Sequence, residues 1–313
     1  MTITNTATNV TRTATTDSAG FYNSGSLNAG QYKIEVVAGG FQKLQSSIAV
    51  NVNVVSGGNF KLSVGASSET VTVQAGEVQV NTEQSSVQNT LSTQQIDTLP
   101  VNGRNFLDLA QLEPGVQLQS GETFDPTKAG YSALSFSGMA GRTTRIQLDG
   151  QDITDETVGT TIFNVSQGAI DQVQISRSTQ DVTGDITSTG AVQAATRSGT
   201  NSFHGNLFYN FQDHNVGFAT ERGVDTPFQR NQFGGSIGGP ILKDKLFFFV
   251  NSERIKQDTG TVSTVGSLFQ SIATQFPFVP SPFRDTYTTG RLDYAGWHGI
   301  HFFARANYED NSA

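Results

Sequence analysis

Gly234-Gly235-Ser236-Ile237-Gly238 has the G-x-S-x-G spacing of a hydrolase nucleophile. That chemistry places the serine on a sharp strand-to-helix turn, within reach of a histidine and an acid. Here Gly239-Pro240 and a strand signal follow instead, so no helix is available to carry the elbow. The four histidines are His204, His214, His298 and His301. A zinc site needs three or four converging ligands, and residues three apart, such as His298 and His301, share a helix face but fall on opposite faces of a strand. Asp149, Asp152, Asp155 and Glu156 could crowd around calcium, but EF-hand spacing is absent and a solvated loop is the simpler reading. The chain has no cysteine, which removes disulfides and thiolate metal sites. No catalytic residue, metal or cofactor is expected, and the chain does not read as an enzyme.

The elements that would position any site are short strands and turns. Over 313 residues, hydrophobic content is 35% and charged content 15%, with 33 glycines and abundant Thr, Ser, Asn and Gln. Such a mixture suits strands better than long helices, and the length allows two or three domains. Net charge is −8 and the basic residues are scattered, so nucleic acid is not an expected partner. Apolar runs reach about five residues, too few for a membrane helix. Residues 1–20 lack the basic start and apolar core of a signal peptide.

Composition divides the chain. Fifteen of the 22 phenylalanines and the single tryptophan follow residue 200, which marks a boundary near Gly199. In residues 1–75, Tyr32, Ile34 and Val36 alternate, as do Ile48, Val50, Val52 and Val54, then Phe60, Leu62 and Val64, with glycines between the runs. This pattern predicts a small antiparallel β-sandwich with a structural or docking role. Residues 92–115 carry the clearest helical signal: Ser92 and Gln95 fit a capping box, and Asn105 can cap FLDLAQL before Pro114-Gly115. LPVNGRN between them reads as a turn, Asp149-Gly150 as a hairpin turn, and DQVQISR and AVQAATR as strands. The middle zone is a mixed α+β unit.

Beyond residue 200, strands are expected near 202–212, 229–239, 245–255, 286–295 and 299–309, with loops of about 16, 5, 30 and 3 residues. Phe203, Leu207, Tyr209 and Phe211 share one face, with Phe208 the exception on the other. In LFFFV, Leu246, Phe248 and Val250 oppose Phe247 and Phe249, so both faces are apolar. An apolar stripe opposite a polar one, with long and short loops in turn, is the pattern of a membrane β-barrel.

At this point the residues resemble a family. IDTLPVNGRNF through LEPGV looks like the start of the plug of TonB-dependent outer-membrane transporters. FSGMAGRTTRIQLDGQDITD, TRSGTNSFHGNLF, RNQFGGSIGGPILKDKLFFFVNSE, GRLDY and FFARANY continue the likeness in family order. TDSAGFYNSGSLNAGQYKIEVVAGGFQ is similar to a carboxypeptidase regulatory-like domain, which points to the Oar-like branch.

The resemblance implies a mainly β chain of three parts: residues 1–75, a regulatory-like β-sandwich lacking its first strand; 76–200, the plug; and 201–313, the first antiparallel strands of a transmembrane β-barrel. Five strands against about 22 in such barrels imply a fragment. GGSIGGP would close a descending strand, its glycines allowing a sharp bend or close backbone approach before a periplasmic turn. Arg104, Arg142 and Arg145 are candidates to line the plug's ligand-facing side, since arginine forks suit carboxylate or phosphate, although ion pairs with neighbours are the plainer use. Ile300, Phe302, Ala304, Ala306 and Tyr308, with Leu292 and Tyr294, would face lipid; His301, Arg305, Asn307 and Glu309, with Arg291 and Asp293, the lumen. Phe303 would point inward onto the plug, and Trp297 would sit in the last tight turn. The implied place is the bacterial outer membrane. The implied partners are its lipid, the TonB complex and an unidentified transported ligand, and the implied function is energised uptake. A secreted or cell-surface adhesin or polysaccharide-binding β-protein is the rival reading.

Overall fold

The computed structural model describes residues 1–66, 70–74, 88–99, 101, 103–139, 141–177, 187, 189–216, 226–263, 269–297 and 300–313. The first residues of the 76–200 part, up to 87, fall outside these residues, as does His298.

The N-terminal unit contains β1 (Thr2–Asn5), β2 (Thr11–Thr13), β3 (Gly30–Val36), β4 (Lys43–Val50) and β5 (Thr70–Gln74). They form one sheet in the order β2-β1-β3-β4-β5, antiparallel except for the β4–β5 pair. Ile3, Tyr32, Ile34 and Ile48 bury one face, as period-2 alternation requires. The expected two-sheet, all-antiparallel sandwich is corrected on this point: the described residues hold a single mixed sheet. Val52, Val54 and the run Phe60–Val64 extend no strand. Asn53 sits at φ 52, a left-handed conformation that ends the extended run after β4. Phe60 instead folds back onto the apolar cluster and stacks on Tyr22 at 6.5 Å.

The central unit contains β6 (Gln88–Leu91), α1 (Thr93–Thr98), a 3₁₀ segment at Phe106–Leu112, β7 (Val116–Ser120), β8 (Ser132–Phe136), β9 (Thr144–Leu148), β10 (Gln151–Asp152), β11 (Ile170–Ser176) and β12 (Gly190–Thr196). Its main sheet runs β10-β9-β12-β11-β6, with β7–β8 a separate hairpin. The Ser92/Gln95 capping box forms at the start of α1. Asn105 caps the next segment through Leu107 N–H at 3.0 Å, but that segment is 3₁₀ rather than α. Three residues per turn eclipse Phe106 with Leu109 and Leu107 with Ala110, and all four are buried. Asp149 and Gly150, at φ 50 and 81, turn β9 into β10 as the dipeptide predicts.

The large sheet is an antiparallel meander of β13 (His204–Asp213), β14 (Phe228–Leu242), β15 (Leu246–Val262), β16 (Phe278–Trp297) and β17 (Ile300–Ser312), with α2 (Gln270–Gln275) between β15 and β16. The loop expected to span about 30 residues is roughly halved, because β15 and β16 pair out to Val262↔Phe278. Pro280 and Pro282 concealed this extension. They lie beyond Arg284↔Ser312, where pairing with β17 stops, so their missing N–H leaves no ladder bond unmade. The glycines of GGSIGGP do not bend the chain at a turn: all lie inside β14, and the turn is Lys243–Lys245 with Asp244 at φ 63. Close approach is the alternative that applies, since a Cβ on Gly239 would strike the ring of Phe203 at 2.4 Å. Trp297 ends β16, paired with Ile300, rather than sitting in the turn.

Candidate functional site

The side chains with chemical potential converge where the inner face of the large sheet meets the central unit. Strict alternation in β15 buries Phe247, Phe249, Asn251, Glu253 and Ile255, while Val250, Ser252, Arg254 and Lys256 are exposed. In β16 the buried set is Asp285, Tyr287, Thr289, Arg291 and Asp293. Phe249 joins the central unit's own apolar cluster, which includes Leu107, Ile170 and Val173. This settles the two apolar faces of LFFFV: Phe247 and Phe249 pack inward, while Phe248 meets Phe203 on the outside at 6.3 Å.

Glu253 anchors the first polar contact. Arg104 Nε lies 3.3 Å from its Oε1, and Ser166 Oγ donates to the same oxygen. Gln232 Nε2 donates to Oε2 at 3.3 Å and to Gly103 O at 3.0 Å, and Tyr287 Oη reaches Oε2 at 3.4 Å. Gly103 and Arg104 both have positive φ, and this turn in LPVNGRN aims the fork at the sheet. Phe208, the exception to alternation in β13, lies inward under Arg104 with the guanidinium 4.0 Å from the ring centre. The forks of charged groups in such a dry contact must be matched, because desolvation is costly without partners.

Asp149 anchors the second contact. Thr196 N–H and Oγ1 donate to its two oxygens at 2.8 and 2.7 Å. Arg291 Nη1 and Arg305 Nε approach it at 3.2 and 3.4 Å. Arg291 also forks onto Asp293 and donates to Thr196 O at 3.0 Å. Arg305 adds a bond to Leu148 O at 3.2 Å. At the far end, Glu309 accepts from Asn164 N–H at 2.8 Å and from its side chain at 3.0 Å.

The residues singled out in sequence are placed as follows. Arg104 spends its fork on Glu253, inside the protein. Arg145 pairs with Asp152 at 3.4 Å and with Glu156, and Arg142 is exposed. The three arginines therefore do not converge. The acidic cluster also disperses: Asp155 goes to Lys128 at 2.6 Å, whose ammonium holds that carboxyl below its ordinary range. No group of three metal-ligating side chains occurs among the described residues. Ser236 is no nucleophile, since its hydroxyl bonds Asn206 at 2.9 Å within the strand pair. In β17, His301, Arg305, Asn307 and Glu309 share the half-buried face, and Ile300, Phe302, Ala304, Ala306 and Tyr308 are exposed opposite them. Phe303 is on the inner side, but it packs under Arg291 (4.6 Å) rather than on the central unit, and it stays 48% exposed. Sequence reasoning passed over Glu253, although a lone acid in phase with Phe247 and Phe249 is a readable sign of an inward ion pair.

The central unit holds two further perturbed acids. Burial pushes Asp108 up to about 6, with Arg230 opposing. Burial likewise raises Asp171, with the Thr93 hydroxyl opposing through a 2.7 Å bond.

Comparison with known proteins agrees with this geometry. Residues 195–312 match the family model described as "Outer membrane beta barrel domain", and residues 1–63 match "Carboxypeptidase regulatory-like domain". A mainly β outer-membrane protein with an N-terminal regulatory-like domain is the class these features define. The chain is a homologue of the TonB-dependent transporter Oar of Myxococcus xanthus, 28% identical over 161 residues, covering 47% of this chain and 14% of Oar. Among solved structures, the outer membrane transporter YddB from Escherichia coli aligns over 72% of this chain and 33% of its own, with a TM-score of 0.53 and 13% identity. A mutant ferric enterobactin receptor (PfeA) from Pseudomonas aeruginosa aligns over 72% and 32%, with a TM-score of 0.51 and 14% identity. These structures share the fold, and the chain spans about a third of each. Oar is a transporter rather than an enzyme, and the match to the outer membrane barrel model puts this chain in the outer membrane.

Proposed function

We propose that the central unit is the plug of a TonB-energised transporter and that the large sheet is the beginning of its barrel wall. One observation carries this reading: the large sheet has two faces of opposite chemistry. The inner face holds the central unit through Glu253–Arg104, Asp149–Arg291–Arg305 and Glu309–Asn164. The outer face is apolar, exposed and banded. Register aligns Phe203 and Phe248 in one aromatic row with Leu292 and Ala304, next to Tyr294 and Phe302. A second row, Tyr209 and Phe233, is level with Arg254. From Phe248 to Arg254 is about 20 Å along the strand, comparable to the ~25 Å apolar band flanked by aromatic girdles on membrane barrels. Beyond it the outer face turns charged, with Arg254 and Lys256 exposed. Ile300, Phe302, Ala304, Ala306 and Tyr308 are then lipid-facing, and His301, Arg305, Asn307 and Glu309 face the lumen.

In this arrangement residues 243–245 and the β16–β17 turn lie on the periplasmic side. Residues 1–75, 76–200 and 201–313 act as periplasmic domain, plug and wall. A substrate bound from outside crosses when the TonB complex pulls the plug and separates the ion pairs from the wall. Such pairs suit a movable contact, because water can solvate both partners once they part. Of the three candidate arginines, exposed Arg142 is the one we assign to the ligand-facing side. The test compares the medium components depleted by cells with and without the receptor, repeated in a strain lacking TonB. Depletion that requires both receptor and TonB is expected; depletion unchanged without TonB would overturn energised uptake.

A further inference from the structure

Hydrogen bonds among the described residues tie the N-terminal unit to the other two at two places. In the connector between β12 and β13, Asn201 donates from its backbone N–H to Ala7 O at 3.0 Å and from Nδ2 to Thr8 O at 2.7 Å. Asn201 Nδ2 also reaches Asp244 Oδ1 at 2.7 Å, and Asp244 N–H returns a bond to Asn201 Oδ1 at 2.9 Å. Asn9 Nδ2 completes the knot on Asp244 Oδ1 at 3.2 Å. Asn9 and Asp244 both lie at positive φ, 57 and 63, which presents the two side chains to each other from tight turns.

The second contact is on the central sheet. Val52 N–H donates to Gln172 Oε1 at 2.9 Å, and Asn53 Nδ2 donates to Gln193 Oε1 at 2.6 Å. Gln172 and Gln193 belong to β11 and β12, neighbours in the middle of that sheet. Beside the first contact, at Ala7 and Thr8, is a cavity of about 320 Å³ walled by all three units, with Arg12 and Tyr32, Asp171 and Arg197, and Asp293 and His301 around it. The buried apolar cluster of the N-terminal unit shares no member with that of the central unit. Interfaces built this way part and re-form readily, and each net hydrogen bond contributes only about a 2- to 13-fold preference for the docked state.

We propose that the N-terminal unit is a removable cover on the inner end of the central unit, clamped at Asn9–Asp244–Asn201 and at residues 52–53, and displaced when the central unit moves. The proposal rests on the transporter reading for its cause of movement. Displacement of β11 and β12 breaks the second clamp, and by reciprocity a docked cover holds those strands in place. The cavity is the space behind the cover.

The chain's lack of cysteine allows a direct test. Gln172, 8% exposed, lies under the cover, and Ser176 on the same strand is buried at 5% away from it. In the detergent-solubilised chain, the thiol of Gln172→Cys should react slowly with a maleimide. Adding Asn201→Ala, which removes three side-chain bonds at the first clamp, should speed it by about tenfold. The thiol of Ser176→Cys should stay slow in both backgrounds. Equal rates at position 172 with and without Asn201→Ala, or equal acceleration at 172 and 176, would overturn the cover. In cells carrying the receptor, the 172 thiol should label faster with an energised inner membrane than with a protonophore. A detergent effect without this cellular difference overturns the displacement alone. Depletion that persists without TonB overturns the transport reading and leaves docking standing.

Discussion

The central unit has two neighbours, and it meets them differently. Against the large sheet it contributes Arg104 and Asp149 to buried ion pairs, donates from Asn164 to Glu309, and admits Phe249 into its own core. Against the N-terminal unit it offers the amide side chains of Gln172 and Gln193, and among the described residues the two buried apolar clusters share no member. Buried charge with a core aromatic makes a contact that holds strongly yet can be hydrated when pulled apart. Amide bonds alone make one that opens with little cost. The difference orders events: the cover should leave before the wall releases the plug.

The largest expected effects test the wall contact. Removing Glu253 takes the shared acceptor from Arg104 and Ser166 and leaves Gln232 with Gly103 O, and Glu253→Ala should cost about 3–5 kcal/mol. Phe249→Ala should cost a similar ~3–5 kcal/mol by leaving a cavity in the central core, while Val250→Ala, on the exposed face, should cost far less. Urea unfolding in detergent reads all three, and comparable losses for Phe249→Ala and Val250→Ala would remove the distinction between the faces.

Next is the outer face itself. Arginine at Ala304 should destabilise the assembled receptor by roughly 2–4 kcal/mol, and Asn307→Arg, across the same strand, by little. Heat-modifiable migration of the folded barrel measures both, and equal tolerance would mean that the exposed face meets water.

The smallest effect concerns Asp108 in the central unit. Its folded value near 6 lies above the ordinary carboxylate range of about 4, so the folded state holds its proton more tightly than the unfolded state does. The contribution of Asp108 to stability is therefore highest below about pH 4, falls as pH rises to about 6, and is flat beyond. Asp108→Asn should remove this slope and gain about 1–2 kcal/mol at pH 7.5 after allowance for solvent screening. Melting temperatures of both chains at pH 4.5 and 7.5 check the sign, and a gain from Asp108→Asn no larger at pH 7.5 than at pH 4.5 would refute it.

Much of the architecture was legible locally. The Ser92/Gln95 box, the Asn105 cap, the Asp149-Gly150 turn and the alternation in β13, β15 and β17 each depend on neighbours within a few residues. The misreadings have non-local causes. The strand expected at Phe60–Val64 is irregular because Phe60 is drawn onto a cluster formed by β1, β3 and β4. Residues 278–283 are strand because β15 pairs them on one side only, a setting in which proline is harmless. Phe208 and Phe303 broke the alternation for a reason invisible in one strand: each is covered by an arginine, Arg104 from a distant turn and Arg291 from the next strand.

By itself, the sequence determined which residues alternate, where glycine and asparagine turn the chain, and that the aromatic-rich third would show two faces, because period and backbone sterics act over a few residues. Which side of each charge finds its partner was decided only in three dimensions. Glu253 and Arg104 are 149 positions apart, and Asp149 and Arg291 are 142. No local rule links such pairs; a charge is buried only where folding has already brought its counter-charge and hydrogen-bond donors to meet it.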